Sequence, residues 1–168
     1  YSREFKEGLI PLNYYARYVL PDSSLTRISS VKTFSRIALK TDVLPDIGYF
    51  LNSKFYNRDF TIMPLHDLRR LIEEKYGEVI VKRDNSLRGM NNYILGVDQI
   101  TLETFESIGD CVIQYFVKEH DFFTKIVEGS TATIRIVTVR NLKGEIEYRG
   151  SLLNLGRKDV KIYRSDIG

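Results

Sequence analysis

A chain of 168 residues, 43% hydrophobic and 28% charged, has the length and composition of one soluble globular domain, or of two small lobes sharing a cleft. Its 25 basic and 22 acidic residues leave a net charge of +3, too small by itself to imply a nucleic-acid partner. The lone cysteine, Cys111, excludes an internal disulfide framework and fits a reducing, cytoplasmic setting, and no apolar run is long enough to span a bilayer.

Eleven Tyr and nine Phe supply large core side chains. Tyr1 opens the chain without an initiator Met, as expected of a fragment or a processed chain. Residues 1–30 read as an N-terminal helical segment, with Tyr14, Tyr15 and Tyr18 spaced for one helical face and a turn at Pro21. Packing is the expected role of those tyrosines. From 31 to 39, Val31, Phe34, Ile37 and Ala38 have the spacing of an amphipathic helix, which Leu44-Pro45 ends. A strand is expected over 47–55, followed by a turn at Asn57-Arg58-Asp59. A helix over 65–76 then stops at Gly77. His66, in its first turn, has no metal partner in the sequence and reads as surface or cap.

Further strands are expected over 78–82 and 93–97, with a polar loop between them, and a short helix over 101–108. Two apolar runs follow, 111–117 and 132–139. The second sets Thr133, Arg135 and Thr138 among Ile134, Ile136, Val137 and Val139, giving it a wet and a dry side for much of its length. A hairpin turn over 141–144 leads into a last strand, 145–154. Helices interspersed with strands and several hairpins predict an α+β fold rather than a doubly wound parallel sheet.

The residues that carry chemistry lie on these strands. Lys82 ends the apolar run Val79-Ile80-Val81 ahead of a basic, glycine-containing loop, a placement suited to cradling polyphosphate. Arginine within a run such as Ala132–Val139 is costly unless its fork meets an anion or a carboxylate. Lys32 precedes the helix of Phe34, which Pro45 follows. The hinge-like run Val112-Ile113-Gln114-Tyr115-Phe116-Val117 and the run Thr131-Ala132-Thr133-Ile134-Arg135-Ile136-Val137-Thr138 come in order after Lys82.

In this order and spacing the motifs resemble the ATP-grasp superfamily, most closely its sugar-transfer-associated group from bacterial polysaccharide synthesis. The resemblance covers most of residues 31–157. It implies two small α+β lobes with a nucleotide cleft between them: 31–110, carrying the Lys82 strand and phosphate loop, and 111–168, carrying the hinge and the Arg135 strand, with its C-terminal part incomplete. By that likeness Lys32 and Lys82 touch ATP phosphates, and the backbone near Tyr115, Phe116 and Val117, next to Gln114, reads the adenine edge. Ile80 packs on the base, and Asp121, or Glu119 in its place, binds the ribose hydroxyls. Arg135 meets phosphate or an acyl phosphate, and Lys82 and Arg135 are the expected catalytic residues.

The implied partners are ATP, Mg²⁺ and a carboxylate-bearing sugar or amino-acid substrate. The implied activity is an ATP-dependent carboxylate-amine ligation. This chain departs from the pattern in two places. The loop after Lys82 has one glycine, Gly89, where the family tends to have several. The acidic and Asn magnesium ligands of the family are not recognisable, since only Asp159 and Asp166 lie near the end, so the metal ligands stay unassigned. That departure keeps open a second reading, a catalytically weak nucleotide-binding scaffold. A third stays open as well: an unrelated α+β domain whose Arg135 pairs with a buried carboxylate. Nucleic-acid binding through residues 82–88 is disfavoured, because no aromatic residues are interleaved with that basic cluster for base stacking. Cys111, in an apolar run without a basic neighbour, reads as a buried structural thiol, and His120 as exposed beside the hinge.

Overall fold

The computed structural model describes residues 31–86, 91–126 and 132–155. The helical segment expected over 1–30, together with Gly89, Asp159 and Asp166, lies outside them. A turn of 3₁₀-helix, Lys32–Phe34, leads into helix α1, Ser35–Leu39, which closes on Lys40 in the left-handed conformation (φ 48°). Strands β1 (Asp46–Leu51) and β2 (Lys54–Asn57) come next, then helix α2 (Leu65–Lys75), β3 (Glu78–Arg83) and β4 (Asn92–Gly96). Helix α3 (Leu102–Ile108), β5 (Cys111–Gln114), the single turn α4 (Asp121–Thr124), β6 (Ala132–Arg140) and β7 (Ile146–Leu155) complete the described chain.

Five strands form one antiparallel sheet in the order β2-β1-β5-β3-β4, and β6 and β7 form a separate antiparallel pair. The α+β class is therefore as expected, and two details differ. The single strand read over 47–55 is a hairpin: Asn52 and Ser53 both adopt positive φ (49° and 58°), so a two-residue turn sends Lys54 back opposite Leu51. The run 111–117 is strand only as far as Gln114. It is also the central strand of the five-stranded sheet, bonded to β1 and β3, rather than the opening of a second lobe at residue 111. Any boundary between two bodies falls after Gln114.

Period-two alternation gives this sheet two unlike faces. Val79 and Val81 of β3, Cys111 and Ile113 of β5, and Ile47 and Phe50 of β1 join one core with Leu68 and Ile72 of α2 and Phe105 and Ile108 of α3. Phe50, Phe55 and Phe105 interlock there, with ring centroids 4.8 to 5.4 Å apart. Burying each such side chain contributes about 1.5–3 kcal/mol. Thr101 caps α3 by accepting from the Thr104 N–H at 3.1 Å, and Gly77 (φ 72°) closes α2 by donating to the Ile72 carbonyl at 2.7 Å.

The opposite face is polar. In register across it lie Asn92 of β4, Ile80 and Lys82 of β3, Val112 and Gln114 of β5, and Asp46 and Tyr49 of β1. Tyr49 is fully buried there, its ring stacked on Phe60 at 4.4 Å.

Candidate functional site

Lys82 sits on this polar face because Val79 and Val81 must point into the core, which turns Ile80 and Lys82 to the other side. It is half-buried, opposite Asn92 on one side and Val112 on the other. Among the described residues its ammonium has no hydrogen bond and no carboxylate within ion-pair distance. Burial lowers its proton affinity; Asp46 partly restores it, and Lys32 lowers it further. Two buried acceptors on the same face, Oδ1 of Asn92 and Oε1 of Gln114, also lack a partner among the described residues.

Lys32 approaches from the 3₁₀ turn. Its three N–H donors are taken up by the start of the loop after β3: the Arg83 carbonyl at 2.7 Å, the Ser86 carbonyl at 2.8 Å and Ser86 Oγ at 2.7 Å. Its neighbour Thr33, 1% exposed, donates to the Asp84 carboxylate through its backbone N–H (3.0 Å) and its hydroxyl (2.6 Å). Residues 32 and 33 thus pin the first residues of the expected phosphate loop. Burial lowers the proton affinity of Lys32, and Asp84 counters it. The two lysines singled out from the sequence are therefore close enough to repel each other, and a phosphate contact by Lys32 requires it to exchange a loop acceptor for the ligand.

Gln114, 7% exposed, ends β5 and donates from Nε2 to Asp46 Oδ1 at 2.6 Å, and Tyr49 donates its hydroxyl to Asp46 Oδ2 at 2.9 Å. Burial, with the Asp46 hydrogen bond, pushes the Tyr49 phenol well above its ordinary range, so it stays a donor. The hinge residues after Gln114 divide. Tyr115 is tethered, its N–H donating to the Pro45 carbonyl at 3.0 Å and its ring stacked parallel to Tyr76 at 5.4 Å. Among the described residues the backbone groups of Phe116 and Val117 make no hydrogen bond, so these two, and not the N–H of Tyr115, are open to a base edge.

Asp121 is exposed in the first turn of α4, and His120 caps that turn by accepting from the Phe122 N–H at 3.1 Å. Glu119 accepts from the backbone N–H of Ala132, tying the start of β6 to the segment after the hinge. Arg135 stands at the middle of the exposed hairpin, opposite Leu152; among the described residues its guanidinium has no hydrogen bond or ion pair. No buried carboxylate among the described residues holds it there. The structure thus brings Lys32, Lys82 and Gln114 onto one side of one sheet, and no hydrogen bond or ion pair joins Arg135 to them.

Asp46 and Tyr49 escaped the sequence reading, since an aspartate after a proline reads as turn. Only the register of β1 against β5 places it beside Gln114. A groove of about 510 Å³ at the far end of β3, walled by Thr33, Phe34, Leu51, Arg83, Asp84 and Asp110, contains none of the expected nucleotide residues. Among the described residues no group of three or more His, Cys, Asp or Glu side chains converges as a metal site, so they do not by themselves fit a resident Mg²⁺. No helix among them is long and apolar enough to cross a membrane. Comparison with protein-family models, with curated proteins and with solved structures finds no match to this chain.

Proposed function

We propose that the chain binds ATP on the polar face of the five-stranded sheet, as the nucleotide-binding part of an ATP-dependent carboxylate-amine ligase of bacterial polysaccharide or cell-surface glycan synthesis. The observation that carries this reading is Lys82: a half-buried ammonium with no counter-ion within ion-pair distance among the described residues. Such a charge destabilises the free protein and is relieved by an incoming anion. A lysine suits phosphate, because a point charge accepts it from many angles. The backbone of Phe116 and Val117, unpaired among the described residues and just past the end of the sheet's central strand, supports a base at the other end of the ligand.

The reaction assigned here begins with attack of a substrate carboxylate oxygen on the γ-phosphorus of ATP. The bond to ADP breaks and an acyl phosphate forms. An amine nitrogen then adds to the acyl carbon, inorganic phosphate leaves with the C–O bonding pair, and the nitrogen loses a proton to give an amide. Lys82 neutralises phosphate charge, the planar fork of Arg135 meets the transferred phosphoryl or acyl phosphate, and no side chain becomes covalently modified. Asp121 is exposed and free to meet the ribose hydroxyls.

Titration calorimetry with Mg²⁺–ATP tests the binding step. Heat is expected for the wild-type chain and none for Lys82→Met; no heat from the wild type at about millimolar nucleotide, where binding would be worth only about 4 kcal/mol, overturns the reading. Hydroxylamine trapping of an acyl phosphate from sugar or amino-acid carboxylates tests the chemistry. Binding without a trapped hydroxamate from any of them assigns the chain as a nucleotide-binding scaffold.

A further inference from the structure

Asp46 and Lys82 are opposite charges on one face of one sheet, each left incompletely matched by its nearest neighbours. Asp46 is a buried carboxylate, 4% exposed, whose two oxygens accept from the neutral donors Tyr49 OH and Gln114 Nε2. Among the described residues no cation comes within ion-pair distance of it, and no carboxylate within that distance of Lys82. The register sets their relation. Asp46 lies opposite Gln114 and Lys82 opposite Val112, and these partners are successive same-face positions of β5. The two charges therefore flank one buried strand, where attraction is screened far less than in water. The carboxylate is also fixed. It can only accept hydrogen bonds, so it holds the Gln114 amide with nitrogen towards it, while the buried Tyr49 hydroxyl holds its other oxygen.

We propose that Asp46 is a positioning residue that keeps Lys82 in its cationic, phosphate-accepting form, acting across β5 from a carboxylate clamped by Tyr49 and Gln114. This rests on the reading of Lys82 as the phosphate-binding lysine. Among the described residues the groups that bear on Lys82 are few: Asp46 from β1, Lys32 from the 3₁₀ turn, neutral Asn92 and Val112 from the flanking strands, and Glu78 about 13 Å along its own strand. Burial and Lys32 both disfavour the ammonium, and Asp46 opposes them. Without that carboxylate, Lys82 gives up its proton at lower pH and with it the attraction for phosphate.

The test reads the proton on Lys82 without any nucleotide. The chain is pulse-labelled with acetic anhydride across a pH series, and acetylation of Lys82 is quantified by mass spectrometry. Asp46→Asn is expected to move the midpoint of Lys82 labelling down by about one pH unit, the scale of a single nearby charge. Tyr49→Phe removes a hydrogen bond to the same carboxylate but not its charge, and should leave the midpoint in place. Where Asp46→Asn fails to fold, Asp46→Ser gives the same readout, with room for a water between Tyr49 and Gln114.

An unchanged midpoint in the Asp46 variants, or an equal shift in Tyr49→Phe, overturns the proposal. Calorimetry with ATP over the same series is the second arm. Affinity should fall away at lower pH in Asp46→Asn than in the wild type, and Lys82→Arg, whose cation has no proton to lose in this range, should flatten the profile. Failure of ATP to bind any form overturns the nucleotide reading and the phosphate half of this proposal, while the labelling midpoints still decide whether Asp46 governs the proton of Lys82.

Discussion

The five-stranded sheet and the β6–β7 hairpin are built from similar apolar, β-branched sequence, and they end in opposite situations. In the sheet, α2 and α3 cover one face and bury Val79, Val81, Ile113 and Phe50 almost completely. In the hairpin, Ile134, Ile136, Tyr148 and Leu152 are all more than half exposed. Register divides the hairpin as well. Ala132, Ile134 and Ile136 share a face with Leu153 and Leu155, while Thr133 and Arg135 share the other with Asn154 and Leu152. Strand pairing is thus satisfied in both regions, but among the described residues only the sheet has a layer packed against it. A two-stranded ribbon draws little stability from pairing alone. The difference shows that burial comes from the covering layer and not from the apolar content of a strand.

Core truncation is the sharpest probe of this contrast. Phe105→Ala, at a site with no exposure between Phe50 and Phe55, is expected to cost about 3–5 kcal/mol in urea denaturation. Ile136→Ala, 63% exposed, should stay within about 0.5 kcal/mol. An equal cost at Ile136 would mean that the hairpin is covered in solution.

A backbone probe comes next. A Cβ at Gly48 would overlap the Tyr56 carbonyl oxygen across the β1–β2 pair, so the backbone would have to shift. Gly48→Ala is expected to destabilise by about 1–3 kcal/mol, the cost of overpacking. Gly150 of β7 has open space where a Cβ would stand, so Gly150→Ala should leave the denaturation midpoint nearly unchanged.

Arg135→Lys separates ligand binding from fold stability in the hairpin. It keeps the charge but loses the planar fork, and should weaken ATP binding by about 1–2 kcal/mol in calorimetry. The melting temperature without nucleotide should not move, because the guanidinium has no partner among the described residues. A drop in that temperature with unchanged affinity would make Arg135 a structural residue.

Cys111 carries the smallest expected effect at neutral pH. Burial pushes its thiol up to about 12 from an ordinary value of 9.0, so the native protein should not react with a thiol reagent until it opens. The folded form holds this proton more tightly than the unfolded one. Its contribution to stability is therefore fully present below about pH 9 and is lost as pH rises towards 12, which denaturation midpoints measured across that window would follow.

Sequence periodicity by itself determined the α+β class and the placement of most elements. It located α2 and its stop at Gly77, α3, and the strands around Lys82 and Arg135, because apolar spacing and turn residues act locally. The same local view joined β1 and β2 into one strand, since Asn52 and Ser53 give only a weak turn signal until both take positive φ. It also carried β5 through to Val117, where the backbone has already left the sheet. Lys82, Lys32 and Gln114 were legible as candidates by type and order along the chain. Their assembly with Asp46 and Tyr49 was not, because Asp46 and Gln114 are 68 residues apart and meet only through the pairing of β1 with β5. Register and covering layers are long-range properties, and they decided which lysine stands on the polar face without a partner among the described residues and which one is spent holding a loop.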